Sequence, residues 1–104
     1  MNQEMLLKRV KQAVHEVEPK AEIILYGSRA RDEVETESDW DFLILVDGLV
    51  NDARVDAIRH QLYEVEWECE EILCSIVRSR QQWDSSLYQA MPFHQNVERD
   101  GKLL

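Results

Sequence analysis

Residues 39–46, Asp-Trp-Asp-Phe-Leu-Ile-Leu-Val, carry two acids at the head of a run that otherwise avoids water. The run has the length and the β-branched, aromatic content of a strand, closed by the turn signal Asp47-Gly48. Strand side chains alternate faces, so Asp39 and Asp41 point the same way, about 6.5–7 Å apart along the chain. Trp40 and Phe42 point the other way and can anchor the strand in a core. Ionised carboxylates in such surroundings are costly unless a cation offsets them. A hard divalent ion such as Mg²⁺ meets that need, since it binds one or two carboxylates together with phosphate oxygens and water. The plainer reading is a pair of strand-edge acids facing solvent. What precedes them in the chain bears on the choice.

Residues 22–26, Glu-Ile-Ile-Leu-Tyr, form a short apolar run that Gly27 ends, which predicts a buried strand. A strand that turns into a helix at Gly27-Ser28 presents backbone N–H groups and the positive end of a dipole. Gly27 lets a phosphate approach the backbone closely, and the Ser28 hydroxyl adds a donor. Arg29 and Arg31 either grip a triphosphate or form surface salt bridges. Gly-Ser and Asp-x-Asp are each common alone. Separated by ten residues, with strand-like runs on both flanks, they point to a nucleotide-phosphate site built around divalent metal.

Leu6, Val10, Ala13, Val14 and Val17 recur at helical spacing, giving an amphipathic first helix that Pro19 stops. Residues 28–38 show no apolar period and read as a short helical turn followed by a loop. Asn51 or Asp52 caps a helix carrying Val55, Ile58, Leu62 and Val65. Residues 71–77 are a third β-rich run. Ser79 to Gln82 has capping-box spacing for a short helix with Trp83, and Pro92 opens a last helix, 92–99, that Gly101 ends. This order predicts an α/β (α+β) fold, a small mixed β-sheet flanked by helices, with residues 1–104 as a single domain.

Among the 104 residues, 21 acids outnumber 12 basic side chains, for a formal charge of −9. That balance argues against nucleic-acid binding, whose affinity comes from clustered Lys and Arg. No apolar run approaches the ~20 residues that span a bilayer, and the first residues lack a signal peptide's apolar region and cleavage site. With Cys69 and Cys74 as the only cysteines, reduced thiols and a cytoplasmic location are expected. No Cys or His spacing supports a zinc site. His15, His60 and His94 fall on helical patterns and read as surface or boundary residues. Trp67, Trp83, Tyr88 and Phe93 read as core or interface packing, with Tyr63 and Trp67 a candidate partner-facing patch.

Gly27-Ser28, ten intervening residues and Asp39-Trp40-Asp41 resemble the Gly-Ser-x10-Asp-x-Asp signature of the DNA polymerase β-like nucleotidyltransferases. The wider stretch, "GSRAR" and then "SDWDFLILVD", is most similar to the minimal nucleotidyltransferase (MNT) branch of bacteria and archaea. The motif covers residues 27–41, and the element order agrees over nearly the whole chain. The resemblance implies a mixed sheet flanked by helices. It implies transfer of a nucleoside monophosphate, AMP if the donor is ATP, from an NTP to a hydroxyl, with a two-metal Mg²⁺ site. On this chain Gly27 and Ser28 would bind the β- and γ-phosphates, with Arg29 and Arg31 nearby. Asp39 and Asp41 would ligate the metal as the catalytic acids. The resemblance also implies a partner, a HEPN-domain toxin (higher eukaryotes and prokaryotes nucleotide-binding), neutralised in some pairs by adenylylation. Self-association is left open.

Two features depart from the family pattern. Its third acid, on the later strand, falls at Cys74, with Ser75 beside it. Glu70 shares a face with Cys74 in a regular strand but sits about 13 Å away, so only a bulge or another register brings Glu70 or Glu71 in. Asp32 stands where a glycine usually follows Gly-Ser-Arg-Ala-Arg. Loss of the third acid predicts slow or absent transfer with nucleotide binding retained. Two functions are therefore carried forward. One is a Mg²⁺-dependent nucleotidyltransferase acting on a protein or small-molecule hydroxyl. The other is a degenerate binding module that neutralises a partner by direct contact.

Overall fold

The computed structural model describes residues 1–31 and 39–104. Helix α1 (Gln3–Val17) begins where the Asn2 side chain accepts the Met5 N–H at 2.8 Å, satisfying a donor the helix cannot pair internally. It ends ahead of Pro19. Strand β1 (Glu22–Tyr26) stops at Gly27 and pairs antiparallel with β2 (Trp40–Val46). Helix α2 (Asp52–Cys69), capped by Asn51 through the Arg54 N–H, carries the chain back to β3 (Leu73–Ser79). A crossover of this kind is what a parallel pair requires, and β3 does lie parallel to β2.

Ser79 then caps α3 (Arg80–Trp83), accepting the Gln82 N–H at 3.1 Å. Short α4 (Ser86–Gln89) and α5 (Pro92–Asp100) lead to β4 (Lys102–Leu103), which pairs antiparallel with β1. The strand order is β3-β2-β1-β4, a mixed sheet flanked by helices, as expected. The helical turn expected after Gly27 is present over Ser28 to Arg31, while the loop expected next lies outside the described residues. The third strand starts at Leu73 rather than residue 71. Glu70 ends α2 in the left-handed conformation, φ 57°, so Glu71 and Ile72 are spent returning to the sheet.

One face of the sheet packs on α1 and α2, where Val10, Val14, Phe42, Ile44, Ile58 and Val65 lose all contact with solvent. Each such large apolar side chain contributes about 1.5–3 kcal/mol. The opposite face packs Leu43 and Leu45 against Trp83 and Val97. Around that smaller core Tyr26 meets Phe93 edge-on at 5.3 Å, and Phe93 meets Trp83 edge-on at 5.7 Å. His94 is 7% exposed and stacks on Trp83 at 4.2 Å, which corrects the surface or boundary position expected for it. Central β2 is thus buried on both faces, and Asp41 is its one interruption. No described helix is long and apolar enough to cross a membrane.

Ion pairs join the elements at the end of the sheet away from Asp41. Arg54 grips Glu18 with two hydrogen bonds of 2.9 and 2.7 Å and donates to the Asp47 and Leu49 carbonyls, each at 2.8 Å. Arg80 pairs with both Glu22 and Asp47. With its rear half held in two cores and by these clamps, β2 presents its first residues from a fixed base.

Candidate active site

Three strands converge where β2 begins. Tyr26 pairs with Asp41 across β1 and β2, and Asp41 pairs with Cys74 across β2 and β3. The strand-to-strand spacing is about 4.7–4.9 Å, and all three side chains point to the smaller core's face. Asp39, just before β2, joins them, since the Cys74 thiol donates to its Oδ2 at 3.7 Å. The pairing is continuous from Trp40–Leu73 to Val46–Ser79. Cys74 therefore occupies the position read from sequence as that of the missing third acid. Glu70 and Glu71 lie outside the strand, Glu70 in the helix cap and Glu71 against Arg29 at 3.8 Å.

Gly27 sits against this cluster. Its φ of +77° belongs to the left-handed region, and a Cβ built on it would lie 2.7 Å from the Asp41 Oδ2. Glycine is thus required twice, for conformation and for the carboxylate's approach. The next residues close a helical turn, with the Ala30 N–H on the Gly27 carbonyl at 3.1 Å and the Arg31 N–H on the Ser28 carbonyl at 3.2 Å. Ala30 is buried and pins the turn to the core.

The two arginines are engaged. The Arg29 guanidinium lies 4.4 Å from the Trp40 ring centre, a cation–π contact, as well as near Glu71. Arg31 approaches Asp100 at 3.9 Å. Asp32, the second departure from the family pattern, lies outside the described residues.

The cluster is electronegative. Burial, and then the charge of Asp39, push the Asp41 carboxyl above the usual carboxylate range. Burial followed by the charges of Asp39 and Asp41 raises the Cys74 thiol, which is therefore protonated at neutral pH. Burial and then Asp41 push the Tyr26 hydroxyl up to about 12. Tyr26 was not singled out in the sequence. Its even-numbered place in β1 gave the face, but only the β1–β2 register gives its partner.

Do these groups suit the divalent metal that such a sequence implies? The Asp41 carboxyl, raised by burial and then by the charge of Asp39, together with Asp39 offers two oxygen donors that suit a hard ion completed by phosphate and water. The third position does not extend that set, because a protonated thiol is a poor ligand for such an ion. Among the described residues no three His, Cys, Asp or Glu side chains are grouped closely enough to hold a metal by themselves. The residues fit an ion carried in with a phosphate-bearing substrate better than a permanently caged one. A separate hollow of about 320 Å³, lined by Glu22, Ile24, Leu45, Arg80, Trp83 and Val97 among others, lies at the far end of the same face, away from these acids.

A mixed sheet with helices on both faces, paired acids at the head of its central strand and a glycine turn against them define the class as an α/β domain with an acidic cluster at one end of its sheet. Residues 7–90 match the family model described as "Nucleotidyltransferase domain". The chain belongs to that family, within the polymerase β-like superfamily, whose members transfer nucleotidyl groups from an NTP and generally use a divalent metal. A search of curated proteins returned no match.

Proposed function

We propose that this chain is an MNT-type transferase that moves AMP from ATP to a hydroxyl of a protein or small molecule. In this reading it serves as the antitoxin of a HEPN-domain toxin. The observation that carries the transfer reading is the approach of Gly27 to Asp41, which sets a phosphate-side turn against the paired acids. The MNT and toxin assignments rest on the family resemblance of residues 27–41.

Gly27 and Ser28 hold the β- and γ-phosphates, with Arg29 and Arg31 beside the turn. Asp39 and Asp41 hold Mg²⁺. When bound, the metal supplies charge stabilisation at the α-phosphate and the departing pyrophosphate. The attacking hydroxyl bonds to the α-phosphorus, the bond from that phosphorus to the β-phosphate bridging oxygen breaks, and the hydroxyl proton must go to a base. A neutral Cys74 thiol cannot take that proton, so the rate is expected to be low.

The same thiol favours a second reading, a module that binds nucleotide and silences its partner by contact alone. Calorimetry with ATP and Mg²⁺ on the wild type and on the Asp39→Asn/Asp41→Asn double variant tests the site. Binding by the wild type and loss in the variant support it, whereas no binding by the wild type removes the enzyme reading. A mass increase of one nucleotide on a co-expressed HEPN protein identifies transfer. Neutralisation that survives the double variant identifies the binding module.

A further inference from the structure

The outer stripe of α2 takes no part in the site just described. Tyr63 and Trp67, one turn apart, are 57% and 87% exposed, and Trp67 is the most exposed large apolar side chain among the described residues. Arg59 extends the stripe by another turn, so the three side chains span about 12 Å of helix. Leaving an indole in water forfeits the largest apolar contribution any side chain can make. A hollow of about 420 Å³ beside Trp67 is lined by Glu66, Trp67 and Glu70. A second, of about 260 Å³, runs from Arg59 and Tyr63 over Leu73 to Cys74 and Ser75. The stripe therefore continues to the edge of the acid cluster.

We propose that this stripe is a docking face for a basic amphipathic helix of a partner protein, with a Lys or Arg of that helix held over the Trp67 indole between Glu66 and Glu70. Charge selects that occupant. Among the described residues neither glutamate is paired with a cation, although Glu66 accepts the Leu73 N–H at 2.9 Å. An indole face flanked by two carboxylates is a cation site by both cation–π and Coulomb attraction. A second copy of the chain fits less well, since across a two-fold axis near Tyr63 it would offer the two glutamates only Arg59 as a cation, fewer than a basic helix presents. A ridge with one-turn spacing packs along a helix groove, and basic flanks on that helix meet the acids beside Trp67. Arg59, at the other end, is the one basic group of the stripe and sits away from the glutamates.

The test needs neither nucleotide nor metal, so its failure is separable from failure of the transfer reading. The probe is a synthetic amphipathic Leu/Lys helical peptide, with a Leu/Glu peptide of the same pattern as control, titrated by calorimetry. The wild type is expected to bind the Leu/Lys peptide, with a blue shift of tryptophan emission, and to ignore the Leu/Glu peptide. Trp67→Ala should weaken binding roughly tenfold or more, as truncation of a central aromatic anchor does. Glu70→Lys should weaken it by several-fold. Both positions are exposed, and melting temperatures close to wild type will show that the variants fold. Wild-type affinity in Trp67→Ala, equal binding of the two peptides, or no binding of the Leu/Lys peptide would each overturn the proposal. So would a wild-type dimer in light scattering that Trp67→Ala dissolves, which would give the face to a second copy.

Discussion

Gly27→Ala isolates the contact on which the active-site reading rests, because the chain supplies its own control. Gly27 and Gly48 have almost the same backbone, φ +77° and +79°, but a Cβ at Gly48 meets nothing nearer than the Arg54 Nη1 at 3.8 Å. Placing alanine in the left-handed region costs about 1–2 kcal/mol, reduced by up to about 1 kcal/mol from the stiffer unfolded chain. Gly48→Ala should therefore lose about 1 kcal/mol and about 4–8 °C in melting temperature. Gly27→Ala bears the same backbone cost and also drives its Cβ to 2.7 Å from the Asp41 Oδ2. The carboxylate is the end of a short side chain and gives way by rotation, adding about 0.5–1.5 kcal/mol. The stability gap between the two variants is thus modest, a few degrees by scanning calorimetry. The functional gap should be large, because the metal-side carboxylate has moved. Affinity for ATP with Mg²⁺ should stay at the wild-type level in Gly48→Ala and fall at least about tenfold in Gly27→Ala, as for loss of a charge-assisted contact. Equal melting temperatures together with wild-type nucleotide affinity in Gly27→Ala would refute the reasoning.

Three further outcomes are expected. Cys74→Asp restores an acid beside Asp41 and should raise AMP transfer to the partner by at least tenfold, within the range of about 10²–10⁴ that a positioned base provides; a labelled-ATP assay that finds no gain rejects the assignment of this position. Asp41→Asn should raise the melting temperature at neutral pH without metal. The folded-state affinity of Asp41 for a proton is raised, so its ionised form opposes folding above that pKa, and the variant's advantage should fade as pH falls through it. Arg54→Ala should cost about 2–3 kcal/mol in urea unfolding, because Glu18 is left largely buried without its charged donors. Glu18 is held below its ordinary range, first by the Arg54 hydrogen bonds. The pair's contribution is thus complete above the unfolded value of about 4.3 and lost as pH falls through the folded one, and the variant should lack that acid sensitivity.

The elements that set the architecture were legible in sequence because their signals are local. Apolar spacing marked α1 and α2, the short apolar runs marked β1 and β2, and Asn51 and Ser79 cap where side-chain chemistry says they can. β4 and α4 were not foreseen, since two or four residues carry no period. The site was legible in part. Parity placed Asp39 and Asp41 on one face, and the family pattern singled out Cys74. The pairing of Tyr26 with Asp41 could not be read, because a long connection between β1 and β2 does not set the register as a two-residue turn does. The stacking of Arg29 on Trp40 and of His94 on Trp83 joins residues from different elements, and no local pattern reports such meetings.

The parallel register of β3 has a chemical consequence. Sliding β3 by one residue would exchange its faces and carry Leu73 and Val77 out of the larger core. Sliding by two would bring isoleucine, Ile72 or Ile76, beside Asp41, and only a four-residue slide that unravels the end of α2 would deliver Glu70. Breathing of the sheet therefore offers Asp41 no acidic neighbour from β3. An acid beside Asp41 on this side has to come from substitution, as in Cys74→Asp, and not from a shift of the strand.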